Sequence, residues 1–172
     1  MHIRIVTALL LTQLCCSHVA KADARSVKGL YRNPAEGYAI RIPKDLEAIA
    51  GDQAGPERGV GIRLPSGGEI VSIGEPNSAE YKNPDEGVRH YFAFLEHCRT
   101  TQLTVNQAKM GKLIGAEGRF VCESRVYVVR LAFRPGGEPI YWLQLKTDLT
   151  HEHADLAVFQ SIASSLRIIR WQ

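Results

Sequence analysis

The sequence is poor in the features that usually identify catalytic chemistry. Its 172 residues include only four cysteines, no Cys-x-x-Cys spacing and no serine in a Gly-x-Ser-x-Gly context. No glycine-rich segment makes a phosphate-binding motif between a strand and a helix. A zinc ribbon, a nucleotide-binding loop and a common serine hydrolase therefore have no support. The serines considered for nucleophilic catalysis have no partner that the sequence places beside them: Ser66, Ser72, Ser124 and Ser161.

A strong excess of one charge is also missing. The chain has 21 Lys and Arg against 18 Asp and Glu, a formal net charge of +3. This near balance argues against nucleic acid and against an anionic membrane surface as partners. Beyond the N-terminal stretch, no segment is long and apolar enough to span a bilayer.

The first 24 residues have the pattern of a secretory signal peptide. A short basic start, Met1–Arg4, precedes a mostly apolar run, Ile5–Cys16, which is short for a membrane span. Ala22 and Ala24 then offer the small residues that a signal peptidase reads. We expect cleavage after Ala24 and a single domain over residues 25–172, with an uncleaved N-terminal anchor as the alternative. The mature chain would have 172 − 24 = 148 residues, a common domain size.

Two cysteines, Cys98 and Cys122, remain after the predicted signal peptide is removed. In an exported chain, two cysteines suggest one disulfide. The loop would hold 122 − 98 = 24 residues, for which the chain-entropy model gives about 3 kcal/mol. The alternatives are a redox-active pair or a metal pair, which have neither a Cys-x-x-Cys spacing nor a neighbouring ligand cluster in their favour.

The strongest structural pattern lies in the C-terminal third. Period-two alternation predicts strands over Gly118–Ser124, Arg125–Arg134 and Pro139–Thr147, and helical spacing predicts a closing helix over His151–Leu166. Apolar residues lie on both faces of the two later strands, so we expect this part of the sheet to be covered on both sides. Thr150 is the predicted N-cap of the helix.

Further elements follow from local signals. A second helix is predicted over Pro84–Cys98, with Asn83 as its cap and Glu86 reaching back from the third position. Asp45–Ala50 is interpreted as a single helical turn. The remaining predicted strands are Gly29–Arg32, Tyr38–Pro43, Val60–Leu64, Glu69–Ile73, Thr101–Lys109 and Lys112–Ala116. The predicted fold class is therefore α+β: a mostly antiparallel sheet with two main helices packed on it and one disulfide.

The opening pattern of Tyr31, Gly37-Tyr38-Ala39-Ile40-Arg41-Ile42-Pro43 resembles the start of PsbP-like domains. The later order, a long hairpin over Arg125–Thr147 and a final helix with a Phe159, Ile162, Leu166 stripe, is also similar to that superfamily. The resemblance implies an α/β/α sandwich around an antiparallel sheet, in proteins that mostly bind or assemble with others without catalysis. No functional residue is carried over, because no site motif is matched.

Histidines are the obvious candidates for metal binding. His151 and His153 lie together at the start of the last predicted helix. Residues two apart on a helix do not share a face, so a site would need an extended segment there and a third ligand, for which His97 is conceivable. The competing interpretation is a solvated helix N-terminus, and no cofactor is predicted.

Basic residues near the central hairpin suggest a different site. Arg130 and Arg134 share one face of a predicted strand, and Arg119 and Arg125 flank the neighbouring segment. Together they would form a patch for an acidic partner, whereas the alternative is ordinary solubility and protection of a sheet edge. Trp142 is either a binding anchor on this surface or a core residue under a helix.

These observations favour an exported, non-enzymatic domain that binds another protein of the cell envelope, with a periplasmic or secreted location. An immunity or inhibitor protein and an accessory factor for an envelope complex are two concrete forms of this hypothesis. The alternative is a small-molecule or metal-binding module, or a small hydrolase, that uses His151 and His153.

Overall fold

The structure is a computed structural model that describes residues 25–51, 59–77, 79–93 and 103–169. The predicted signal peptide, Cys98 and His97 lie outside these ranges. The described residues form eleven strands and two helices, in the order β1 (Arg25–Val27), β2 (Leu30–Asn33), β3 (Tyr38–Arg41), β4 (Glu47–Ala50), β5 (Gly59–Arg63), β6 (Glu69–Glu75), α1 (Pro84–Ala93), β7 (Thr104–Met110), β8 (Leu113–Cys122), β9 (Arg125–Phe133), β10 (Ile140–Asp148), α2 (Glu152–Ser165) and β11 (Arg167–Ile168).

The strands form two antiparallel sheets. The larger has the order β1-β4-β5-β6-β10-β9-β8-β7, and the smaller has the order β11-β3-β2. The hairpin of β9 and β10 lies inside the large sheet, where β10 pairs with β6 over seven positions and with β9 over nine. The predicted α+β class and its mostly antiparallel sheet are therefore confirmed.

Both faces of the large sheet are covered, as the apolar residues on both faces of β9 and β10 predicted. Val126 and Val128 face a core that α2 and the small sheet close, and Val129 and Leu131 face a second core beneath α1. Because successive strand residues point to opposite faces, one strand serves both cores. The result is three layers: α1, the large sheet, and α2 with the small sheet.

Helix α1 starts as its sequence predicts. The Asn83 side chain accepts a hydrogen bond from the Glu86 backbone N–H at 2.9 Å, and the Glu86 carboxylate accepts one from the Lys82 N–H at 3.0 Å. These contacts satisfy two backbone donors around the first turn, as a capping box does. Val88 and Phe92 are buried on the face that packs on β8 and β9. Neither described helix has the length and apolar character needed to cross a membrane.

Three local predictions are wrong. The N-cap of α2 is His151, without a side-chain capping bond, and the Thr150 hydroxyl instead contacts the His151 ring at 3.2 Å. Residues 47–50 form strand β4 rather than a helical turn, because they pair with β1 on one side and with β5 on the other. The segments predicted as Lys112–Ala116 and Gly118–Ser124 are one strand, β8, which pairs with both β7 and β9.

Candidate interaction surface

The basic patch that the sequence predicts around Arg130 is not an exposed surface. Arg130 is 7% exposed. Its Nε and Nη2 atoms donate to the Glu117 carboxylate, and its Nη1 donates to the Lys109 carbonyl oxygen at 2.9 Å. The guanidinium also lies 5.2 Å from the centre of the Phe159 ring. The expectation that Arg130 contacts a partner is therefore wrong, because α2 covers this face of β9.

The other arginines of that predicted patch are separated from one another. Arg119 forms a two-point ion pair with Glu152 of α2, in which Nη2 lies 2.7 Å from Oε2. This contact raises the pKa of Arg119 and lowers the pKa of Glu152. Arg125 is exposed opposite Asp148, and Arg134 is partly exposed at the far end of β9. The positive charges of Arg119 and Arg130 are thus balanced by local carboxylates.

Trp142 belongs to the core beneath α1. It is 5% exposed, and its ring lies 6.0 Å from the Tyr91 ring and 6.3 Å from the Tyr81 ring. Such aromatic pairs fix a helix on a sheet. Trp142 therefore does not serve as an exposed anchor for a partner.

The histidine and cysteine predictions have different outcomes. His151 and His153 are both exposed at the start of α2. In the described part of the chain, no group of three or more His, Cys, Asp or Glu side chains could hold a metal ion. Because His97 and Cys98 lie outside that part, the third histidine ligand and the Cys98–Cys122 disulfide stay predictions.

The structure forms a different basic surface on the small sheet. Arg32 of β2 pairs with Ala39 of β3, and Arg167 of β11 pairs with Ala39 from the other side. Directly paired residues share a face, so Arg32, Ala39 and Arg167 form one row. Two residues along β3, Arg41 pairs with Leu30 on the same face. We call the surface that the exposed residues Leu30, Arg32, Arg41 and Arg167 form around the buried Ala39 the arginine face.

The opposite side of the same strands anchors the arginine face to the core. Tyr31, Tyr38 and Ile40 are at most 4% exposed. The Tyr38 ring lies 5.4 Å from the Tyr141 ring, and its hydroxyl donates to the Ser72 carbonyl oxygen at 3.2 Å. Burial raises the pKa of Tyr38, and it raises that of Tyr141 to about 12. Both phenols stay neutral near pH 7, so the sheet is held by uncharged contacts.

Positive charge dominates this surface. Strands β2, β3 and β11 contain three arginines and no acidic residue. All three arginines and the nearby Lys44 are exposed. Within the described ranges, the ion pairs are Arg63–Glu47, Arg89–Asp85, Arg119–Glu152 and Arg130–Glu117, so none involves the arginine face.

A groove adjoins the arginine face at the open end of the β2–β3 hairpin. Its volume is about 440 Å³, and its lining includes Leu30, Arg41, Lys44 and, from α2, Ser161 and Ser165. The Ser165 hydroxyl accepts from the Arg41 backbone N–H at 2.8 Å, which fixes the end of α2 against β3. We call this cavity the hairpin groove.

Part of the arginine face could be predicted from the sequence. Tyr38 and Ile40 alternate with Ala39 and Arg41, so placing the apolar side chains in the core also places Arg41 outside. The position of Arg167 could not be predicted, because β11 is only two residues long and begins one residue after α2 ends. Its place beside β3 depends on where α2 ends.

Comparisons with known proteins show which solved structures have a similar fold. No protein-family model and no curated protein sequence matches this chain. Among solved structures, the cyanobacterial PsbP (CyanoP) of Synechocystis sp. PCC 6803 is similar with a TM-score of 0.56 and 15% identity, over 89% of this chain and 96% of that one. A mutant of the protein Mog1 is similar with a TM-score of 0.52 and 12% identity, over 86% of this chain and 96% of that one. The chain therefore has the PsbP-like fold that its opening pattern and order of elements resemble.

Proposed function

We propose that this chain is an exported, non-enzymatic domain that binds an acidic protein of the cell envelope through the arginine face. The observation that carries the proposal is the segregation of charge. The chain as a whole is nearly balanced, at 21 basic and 18 acidic side chains. The small sheet nevertheless presents exposed Arg32, Arg41 and Arg167 on strands without a carboxylate.

Complementary charge mainly sets the rate and specificity of association. A guanidinium is well suited to a protein partner, because its planar donors match a carboxylate with two parallel hydrogen bonds. The arginines also lie on strands that buried tyrosines hold in place, so the partner would meet a preformed surface. Such a surface suits both concrete versions of the function, an immunity or inhibitor protein and an accessory factor for an envelope complex.

The test is affinity capture from periplasmic extract with the tagged chain over residues 25–172. We expect one stoichiometric acidic partner for the unmodified chain. The double charge reversal Arg32→Glu with Arg41→Glu is expected to abolish capture. Salt should weaken capture of the unmodified chain, because the Debye length falls to about 3 Å at 1 M.

A matched control is available at the two ends of β9, in the large sheet. Arg125→Glu with Arg134→Glu makes the same change in net charge, at two of the positions that the sequence alone suggested. Both double variants should keep the circular dichroism spectrum of the unmodified chain. Equal loss of capture in the two variants, or no partner for the unmodified chain, would refute the proposal.

A further inference from the structure

The hairpin groove has the size of a ligand site rather than of a surface irregularity. Ligand pockets typically measure about 300–1,000 Å³, and the groove measures about 440 Å³. This volume accommodates one or two side chains. One wall is the end of the β2–β3 hairpin and the other is the C-terminal half of α2, so two rigid elements shape it.

The lining of the groove combines apolar surface with positive charge. Leu30 is 41% exposed, which is unusual for a leucine in a described strand. Arg41 and Lys44 also line the groove, and none of the described residues that line it carries a carboxylate. Ser165 already bonds to the backbone, since it donates to the Ile162 carbonyl at 2.7 Å and accepts from Arg41. The exposed Ser161 is therefore the hydroxyl that faces a ligand.

The arginine face extends the positive charge beyond the groove. Arg32 and Arg167 lie on either side of Ala39, two strand spacings apart, so their backbones are about 10 Å from each other. An extended peptide advances about 3.3 Å per residue and points every second side chain to the same side, so carboxylates two residues apart lie about 7 Å from each other, within reach of both long arginine side chains. A ligand with one charged head would leave these arginines unpaired, whereas an acidic peptide segment would not.

We propose that the hairpin groove receives an aliphatic side chain from a segment of the partner that also carries repeated carboxylates. The first carboxylate, next to the aliphatic residue, pairs with Arg41 and Lys44. The following ones lie across the arginine face. This inference rests on the proposed function and adds the chemistry of the segment that is recognised.

The probe is a capped peptide with the sequence Gly-Leu-Glu-Ser-Glu-Ser-Glu, titrated into the ¹⁵N-labelled chain over residues 25–172 and followed by NMR. We expect saturable shifts of the backbone amides of Arg41, Ser161 and Ser165. A peptide with serine in place of leucine, and one with glutamine in place of all three glutamates, are each expected to bind at least tenfold more weakly. Equal binding of either control peptide, or no saturable binding of the probe up to about 1 mM, would overturn the proposal.

Two substitutions on α2 separate the groove from the rest of the helix. Ser161→Trp fills the groove, and we expect it to weaken peptide binding at least tenfold. Ser164→Trp places the same side chain on an exposed position that does not line the groove, and we expect binding within twofold of the unmodified chain. The amide spectra of the two variants report whether both are folded. Equal effects of the two substitutions on binding would contradict the assignment of the groove.

Two further outcomes separate this inference from the proposed function. If the envelope partner is captured normally by the Ser161→Trp variant and lost by the double arginine variant, the groove proposal is wrong and the proposed function stands. If the peptide binds in the groove but no acidic partner is ever captured, the proposed function fails and the groove remains a peptide site. Decanoate binding more tightly than the probe would show a site for single-headed amphiphiles and would overturn the peptide assignment.

Discussion

Substitution of Arg130 tests the packing directly, because the sequence suggested that this side chain binds a partner, whereas the structure buries it. Replacing Arg130 with Met keeps much of the apolar stem and removes the guanidinium. The change deletes the bonds to Glu117 and the 2.9 Å bond to the Lys109 carbonyl. It also removes the cation–π contact with Phe159.

The magnitude follows from the burial of the pair. Removing one partner of a buried ion pair typically costs about 3–5 kcal/mol, because the remaining charge is left uncompensated. The Glu117 side chain is 25% exposed, against 9% for Arg130, so water partly solvates the remaining carboxylate and the lower end applies. We expect Arg130→Met to lower the free energy of unfolding by about 3 kcal/mol and the melting temperature by about 10 °C.

Urea unfolding followed by circular dichroism measures the loss. Arg134→Met, one residue beyond the end of β9, is the matched control, and it is expected to change stability by less than about 0.5 kcal/mol. Adding Glu117→Met to Arg130→Met should recover most of the loss, since replacing both charges removes the unpaired one. A loss below about 0.5 kcal/mol for Arg130→Met alone would refute the reasoning.

Three further predictions concern other contacts. Arg119 lowers the pKa of Glu152. The stabilisation from this ion pair should therefore be complete above the pKa of an unfolded glutamate, and it should be lost as the pH falls through the lower pKa of the folded state. Unfolding free energies of Glu152→Gln and of the unmodified chain, compared across pH, measure this stabilisation. Gly111→Ala should destabilise the fold by more than about 1 kcal/mol, because the added Cβ would clash with the carbonyl oxygen of Leu166. Thermal melting measures this loss. Thiol labelling of the unfolded, unreduced chain over residues 25–172 should find no free thiol at Cys98 or Cys122.

Each of these predictions has an outcome that contradicts it. A stability difference for Glu152→Gln that is the same at low and neutral pH would argue against the ion pair. Gly136→Ala is the control for Gly111→Ala, because Gly136 also has a positive φ but no atom within 4 Å of its added Cβ; equal destabilisation would remove the steric argument. Two reactive thiols in the unreduced chain would refute the disulfide.

The order of the two helices and of most strands could be predicted from local patterns because those patterns are strong in this chain. Alternation in β9 and β10 and the capping residues of α1 depend on neighbours within a few positions. Strand β4 could not be predicted in this way, because its four residues are stabilised by pairing with two strands distant in sequence. For the same reason, the continuity of β8 across Glu117 became visible only through its pairing with β7 and β9.

The sequence by itself determined the α+β class, the antiparallel hairpins and the PsbP-like order, since side-chain period and turn chemistry act locally. It also predicted that Arg130 and Arg134 share a strand face, but not whether that face is exposed. Only the tertiary structure decided this, because packing α2 on the sheet buries Arg130 against Phe159. The same packing carries the chain into β11 and brings Arg167 beside β3. The arginine face is therefore a product of long-range packing, which a local pattern does not encode.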